Sequence, residues 1–355
     1  MKLIYLSGII LTIYYLYKNY FKKIYIWKKY NGFINNLLDN KTLTMMLKND
    51  LKIRKEPYQI TSIYDINKIT EFLNNHFSTQ QFFTDKQIEW ILNSPHKQIN
   101  SINHVNRIKW NIGLKKFNKL IGITCIRPII TNMNNKIMKT FWCDYVCIHK
   151  NFRKRGIGME MEMRGLHEIA KSNFDNMLYV IDNKKVFHSH LCEIKFYICD
   201  LKKYNFKNNK NNIHLMKPSD IDNCYNLYRR LIIDKKIYQL FSKQEFIYYF
   251  KPDKDYLYSF ISNKTICLIS LYYFKYEKYL CSIPSISIFL TSGNIKIELL
   301  KIFSLLKKLK FNNVIINNTI DLPKLKHMKY EGKSYLYGFN YFDKIDSTEF
   351  GIPIF

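Results

Sequence analysis

Carboxylates are few in this 355-residue chain: Asp and Glu number 28 against 56 Lys and Arg, leaving a net charge of +28. Ala, Gly and Pro are scarce while Lys, Asn, Ile and Tyr are heavily used, the profile an AT-rich genome produces. The lysines are spread along the whole chain rather than gathered in a stripe, so this composition bias outranks a nucleic-acid footprint as the source of the charge. Nucleic acid is not an expected partner. The eight cysteines, Cys125, Cys143, Cys147, Cys192, Cys199, Cys224, Cys267 and Cys281, contain no C-x-x-C pair. A zinc site needs ligand pairs at short spacing, so no metal is expected. Most of these thiols lie in apolar runs and read as buried and reduced. With 47% apolar residues the chain is not intrinsically disordered, and its length allows one large or two ordinary domains.

Near the amino terminus, Leu3–Tyr17 is apolar except for Ser7, Gly8 and Thr12, and it extends through Phe21 if Lys18 snorkels. No small-x-small cleavage site follows. Lys18, Lys22, Lys23, Lys28 and Lys29 follow the run, a bias that puts the rest of the chain on the cytosolic side. The expectation is a membrane anchor through residues 3–21, with residues 1–30 as anchor and basic flank and 31–50 as linker.

Beyond the linker, strand-like and helix-like stretches alternate. Helices are expected at Asp65–His76, Asp85–Asn93, Met159–Ser172, Ser219–Ile233, Lys296–Lys310 and, briefly, Pro323–Met328. Strands are expected at Lys119–Pro128, Thr140–His149, Met177–Asp182, Tyr256–Ile261, Ile266–Tyr273, Ser285–Leu290, Val314–Ile316 and Ser334–Tyr341. The polar stretch Lys202–Asn212 reads as a hinge, and the element order restarts after it. This is an α/β (α+β) chain of two successive units, residues 51–205 and 206–355, each a mixed sheet flanked by helices.

One local motif carries chemistry: Arg153-Lys154-Arg155-Gly156-Ile157-Gly158, after a strand and before a helix. Glycines let backbone amides approach a pyrophosphate, the helix start adds a positive dipole, and three basic side chains add charge. The third glycine of a dinucleotide fingerprint is absent, since Met161 occupies its place, and no Gly-Lys-Ser/Thr is present. No hydrolase triad, glycosidase carboxylate pair or kinase loop competes.

The R-x-x-G-x-G loop resembles the coenzyme A loop of the GNAT acyltransferases. Further stretches resemble the N-myristoyltransferase (glycylpeptide N-tetradecanoyltransferase) family, a tandem of two GNAT-like halves. They are Ile53–Tyr58, Asp144-Tyr145-Val146-Cys147-Ile148-His149-Lys150, Asp321-Leu322 after Phe311–Thr319, Glu331-Gly332 with Tyr335–Tyr341, and the final Gly351-Ile352-Pro353-Ile354-Phe355. The resemblance implies acyl transfer from myristoyl-CoA or another acyl-CoA to a protein or peptide with an N-terminal glycine, by a monomer. It places the oxyanion donors at the Tyr145 and Val146 amides and the cofactor along Tyr145–Ile148 and Arg153–Gly158. The base falls to the terminal carboxylate of Phe355, and substrate contacts to Asp144, Val180, Asp321 and Glu331. Asp144 stands where the family has Asn, and Val180 where it has Thr. The acidic peptide loop is replaced by His76-Phe77-Ser78-Thr79. The cofactor loop is thus better kept than the acceptor site. Asp321 is read first as the cap of a helix starting near Pro323.

Overall fold

In the computed structural model, two helices begin where short polar side chains precede apolar periodicity. Asp65 accepts from the Lys68 amide at 3.3 Å and opens α1 (Ile66–His76). Thr84 accepts from the Gln87 amide at 3.2 Å and opens α2 (Asp85–Leu92). Each cap satisfies an amide that has no partner inside its helix. The structure describes residues 59–63, 65–77, 81–93, 111–155, 157–158, 161, 176–182, 190–206, 212–253, 255–276, 279–323, 325–339 and 343–354. The anchor, the linker, Ile53–Tyr58, most of Met159–Ser172, Gly156 and Phe355 lie outside them. Among the described residues no helix is long and apolar enough to cross a membrane.

Two long hairpins dominate. β4 (Lys119–Met133) and β5 (Lys136–Ile148) turn at Asn134 and Asn135, with φ of 49° and 65°. Asparagine tolerates that left-handed region better than most residues. The expected strands stopped at Pro128 and restarted at Thr140, but the ladder continues through both. β4 pairs with β3 (Asn111–Lys116) up to Cys125 and with β9 (Ile237–Gln239) from Thr131 onward. Pro128 lies in the gap between, where a missing N–H removes no ladder bond on that edge. The second hairpin joins β11 (Thr265–Tyr276) to β12 (Tyr279–Thr291).

The order helix, helix, hairpin, parallel strand recurs along the chain. β6 (Asn176–Ile181) runs parallel to β5, and β13 (Asn313–Asn317) parallel to β12. The second hairpin is preceded by α3 (Ile221–Ile232) and α4 (Lys243–Phe250), and α5 (Ile295–Lys308) links β12 to β13. The two units interlock. β14 (Met328–Phe339) lies between β6 and β7 (Cys192–Asp200), and β7 between β14 and β13. With β1 (Gln59–Ser62), β2 (Gln81–Phe82), β8 (His214–Leu215) and β10 (Leu257–Ile261), the described residues form one mixed sheet of fifteen strands with flanking helices.

One core packs α1 to α4 against the sheet through residues such as Leu73, Ile91, Phe246 and Leu268. Another seats α5 through Leu299, Phe303 and Leu306 on Val314 and Ile316. Burying each such side chain stabilises by about 1.5–3 kcal/mol. Seven of the eight cysteines are buried and Cys281 is exposed. Burial pushes the Cys125 thiol well above its usual range and keeps it unreactive.

The expected short helix at Pro323–Met328 is not formed: its described residues lead through a turn with His327 at φ 62° into β14, which opens at Met328. Asp321 is exposed and caps no helix. α4 went unforeseen because its Lys-Gln-Glu-Phe-Ile-Tyr-Tyr-Phe run is short and aromatic. Its signal is the capping box, in which Ser242 and Glu245 bond each other's amides at 3.2 and 2.8 Å.

Candidate active site

The site is a place where the sheet comes apart. Along the first hairpin Cys125 pairs with Tyr145, but Ile126 pairs with Cys143, so Asp144 is the extra residue of a β-bulge. A bulge interrupts the regular alternation of amide directions along a strand. On the other edge of β5, the parallel ladder to β6 ends at Cys143–Tyr179, although the strands continue to Ile148 and Ile181. Asp144 and Val180 are the first residues past the split, one on each lip of a notch. The Tyr145 ring is buried, edge-on to Phe77 and Phe83 at centroid distances of 5.8 and 5.3 Å. Val146 is 45% exposed, while Cys147 is buried and Ile148 half-buried.

Asp144 is not a free carboxylate. Arg127 Nε donates to both of its oxygens at 3.0 Å, and the two side chains are only 1% and 4% exposed. Arg127 Nη1 donates to the Tyr249 hydroxyl at 2.8 Å, and the guanidinium lies 5.4 Å from that ring's centroid. Burial lifts the Asp144 carboxyl to about 6, although Arg127 pulls the other way.

Past β5, the loop is built largely from its own contacts. His149 Nδ1 accepts from the Asn151 amide at 3.2 Å, starting a 3₁₀ turn over Lys150–Phe152. Arg153 ties two elements together, donating to the Ile148 carbonyl at 3.1 Å and to the His76 carbonyl at the end of α1. Lys154 takes φ 62°, and the Arg155 guanidinium lies 5.5 Å from the Phe152 ring centroid. Arg153, Lys154 and Arg155 are all exposed, so the loop presents charge while Arg153 also supplies architecture. Ile157 and Met161 anchor the following helical residues against Leu114 and Ile121. A Cβ on Gly122 would sit 2.3 Å from the Met161 sulfur, so a larger residue there would push the flexible Met161 side chain aside.

The His76 and His149 rings lie 4.1 Å apart, tilted by 37°, beside this loop. Burial pushes His76 down to about 4, with His149, Lys150, Arg153 and Lys119 adding repulsion, and burial lowers His149 too. The folded chain therefore holds neutral imidazoles that the unfolded chain protonates near 6.5. Their contribution to stability is present above about 6.5 and is lost as pH falls toward about 4. Thermal unfolding should show a smaller Tm loss between pH 7 and 5 in His76→Phe than in the unsubstituted chain. Equal losses would dismiss the pair as the sensor.

The carboxyl-terminal segment docks into this region. β15 (Phe350–Gly351) runs parallel to β9, and the Lys236 amide donates to the Glu349 carbonyl at 2.9 Å. Lys235 Nζ reaches the Thr319 carbonyl at 3.1 Å and also the Thr348 carbonyl. Phe350 stacks on Trp142 of β5, and Phe350 and Ile352 are 1% and 2% exposed. They share a core with Trp142 and Leu178, against which Val180 and Ile354 pack. The segment as far as Ile354 thus packs in the same cluster as the residues of β5 and β6 just before the split and Val180 just past it.

Other expected site residues lie elsewhere. Glu331 is an exposed bulge residue of β14 paired with Lys329 at 3.2 Å. Sequence reasoning missed Arg127 and Tyr249. The signal for Arg127 was a lone cation inside the apolar run Ile121–Pro128, which demands a buried partner. Among the described residues no group of three or more His, Cys, Asp or Glu could hold a metal ion. Cavities of about 470 and 390 Å³ open beside Trp90, Tyr248, Asp253 and Tyr256, and no notch residue lines them.

No family model matches the chain. It is 25% identical over 258 residues to a glycylpeptide N-tetradecanoyltransferase of Plasmodium falciparum, covering 60% of each chain. Among solved structures it superposes on Saccharomyces cerevisiae N-myristoyltransferase with bound myristoyl-CoA at TM-score 0.69, with 17% identity and 84% of each chain covered. A GCN5-related N-acetyltransferase from Anabaena variabilis matches more loosely, at TM-score 0.50 and 12% identity, over 79% of this chain and 72% of that one. The chain thus spans about 60% of the length of the glycylpeptide N-tetradecanoyltransferase it matches in sequence, and its fold is similar to that of N-myristoyltransferase.

Proposed function

We propose that this chain is an N-acyltransferase that moves a fatty acyl group, myristoyl by preference, from acyl-CoA to the N-terminal glycine amine of a protein. The observation that carries the reading is the notch: β5 and β6 part beside a bulge, next to the hydrophobic cluster that also holds the docked segment Phe350–Ile354. Acyl transfer needs donors aimed at the developing oxyanion, an aligned amine and a proton acceptor. The Tyr145 and Val146 amides serve as the donors, and the exposed Lys154 and Arg155 take the coenzyme phosphates. The Phe355 carboxylate, one residue beyond the docked Ile354, is the base. It removes one proton from the glycine ammonium, the free amine attacks the thioester carbonyl, the carbon–sulfur bond breaks, and the second nitrogen proton goes to the departing thiolate, leaving the amide and free coenzyme A thiol.

Equilibrium binding of myristoyl-CoA and acetyl-CoA to the full chain, with Lys154→Ala/Arg155→Ala as control, tests this. Preferential myristoyl-CoA binding weakened by the double substitution is the expected result, followed by transfer to glycine peptides. Absence of both binding and transfer overturns it. A second reading, an acyltransferase with another acyl-CoA and acceptor, is favoured by one observation. Asp144 is engaged by Arg127, and Val180 offers no polar atom to an amine. Equal binding of acetyl-CoA would select it. Residues 3–21 are further proposed to anchor the enzyme at a membrane with the remainder in the cytosol. Flotation with liposomes that survives deletion of residues 1–30 would refute this.

A further inference from the structure

Arg127 lies in the N-terminal unit on β4, two positions after the register shift, yet two of its partners come from different parts of the molecule. One is the bulge residue Asp144, gripped through both oxygens. The other is Tyr249 on α4, which belongs to the C-terminal unit and whose own ring packs 5.9 Å from Trp90 of α2. Tyr249 is itself fully buried. A buried ion pair of this kind is a poor stabiliser, because removing two charges from water costs as much as their attraction returns. Its value lies in geometry: a planar guanidinium fixes the direction of its carboxylate. Here that carboxylate projects from the one residue whose insertion sets the amides that follow it.

We propose that Arg127 is a positioning residue for acyl transfer. Through Asp144 it locks the bulge that aims the Tyr145 and Val146 amides into the notch, and through Tyr249 it makes that aim depend on docking of the C-terminal unit. The inference rests on the acyltransferase reading for its catalytic consequence, but its structural content stands apart from it.

The test compares four full-length proteins: unsubstituted, Arg127→Lys, Tyr249→Phe and Arg127→Met/Asp144→Asn. Lysine keeps the charge and loses the fork. The double substitution removes both charges and so relieves the stability penalty of leaving either one alone. A displacement of about 1 Å at the reacting centre costs on the order of 10²-fold in rate. In Arg127→Lys, kcat should therefore fall by about that factor with little change in KM for acyl-CoA, and Tyr249→Phe should give a smaller fall. The double variant should match the unsubstituted Tm while kcat stays low. A purely structural pair predicts that kcat recovers together with Tm, and that result overturns the proposal, as does normal kcat in Arg127→Lys.

Hydrogen exchange supplies a readout independent of turnover. Peptides covering residues 144–148 should exchange faster in Arg127→Lys and in the double variant, with β13 unchanged. Unchanged exchange at 144–148 overturns the inference even if the enzyme is active. Faster exchange in a chain that transfers no acyl group would retire the acyltransferase reading and keep only the structural part, that Arg127 locks the bulge.

Discussion

Deleting Phe355 should lower turnover by about 10²–10⁴-fold, the usual contribution of a general base, while leaving acyl-CoA binding intact. Residues 350–354 are held by β15 pairing, by the Phe350–Trp142 stack and by burial of Ile352, so the segment keeps its place when the last residue is lost. The new carboxylate, on Ile354, then sits one residue short, a displacement of up to ~3.3–3.6 Å. A base must lie within about 2.6–3.2 Å of the proton it takes, so the shift removes it from reach. Adding one glycine after Phe355 should do the same from the other side. Phe355→Ala, which keeps the carboxylate at its backbone position, should retain far more activity than either. Normal turnover in the deletion and extension variants would remove the carboxylate from the mechanism.

The largest stability effect should come from splitting the buried pair. Asp144→Ala leaves the Arg127 charge unpaired at a site 1% exposed, and such a loss costs about 3–5 kcal/mol. Denaturant unfolding near pH 7 measures it as a lowered midpoint without a change in slope. The wild-type pair has its own pH dependence. Because burial raises the folded Asp144 value from 3.8 to about 6, the folded chain binds more protons than the unfolded one between those limits. The contribution of this group is therefore fully present below about 3.8 and is lost as pH rises through about 6. This runs opposite to the His76–His149 pair, so the two are separated by comparing variants rather than by one pH curve. An Asp144→Ala midpoint equal to that of the unsubstituted chain would mean the pair is not buried as described.

Much of this molecule was legible in one dimension. The helices over residues 66–76 and 295–308 follow from apolar periodicity behind Asp65 and Asn294, whose side chains bond amides three residues on. The strand, basic loop and helical order around Arg153–Gly158 is local chemistry, and its resemblance to acyltransferases follows from residue types and spacing. The apolar composition of Ile352 and Ile354 already favoured a docked tail. These features are readable because each depends on neighbours a few residues away.

What stayed hidden depends on distant partners. No local pattern announces that β14 inserts between β6 and β7, because β-pairing joins residues far apart in sequence. Asp144 read as a substrate ligand because its type suggests one. Its actual partner lies 17 residues away on a neighbouring strand, and the partner's other contact 122 residues away on α4. The one-residue slip that makes the bulge is equally a property of two strands and not of either alone. Sequence determined most of the helices, the cores of many strands, the loop and the family likeness, since these are set by side-chain type and short-range hydrogen bonding. Tertiary structure alone decided which charges are spent on each other, because only burial makes the pairing of Arg127 with Asp144 obligatory.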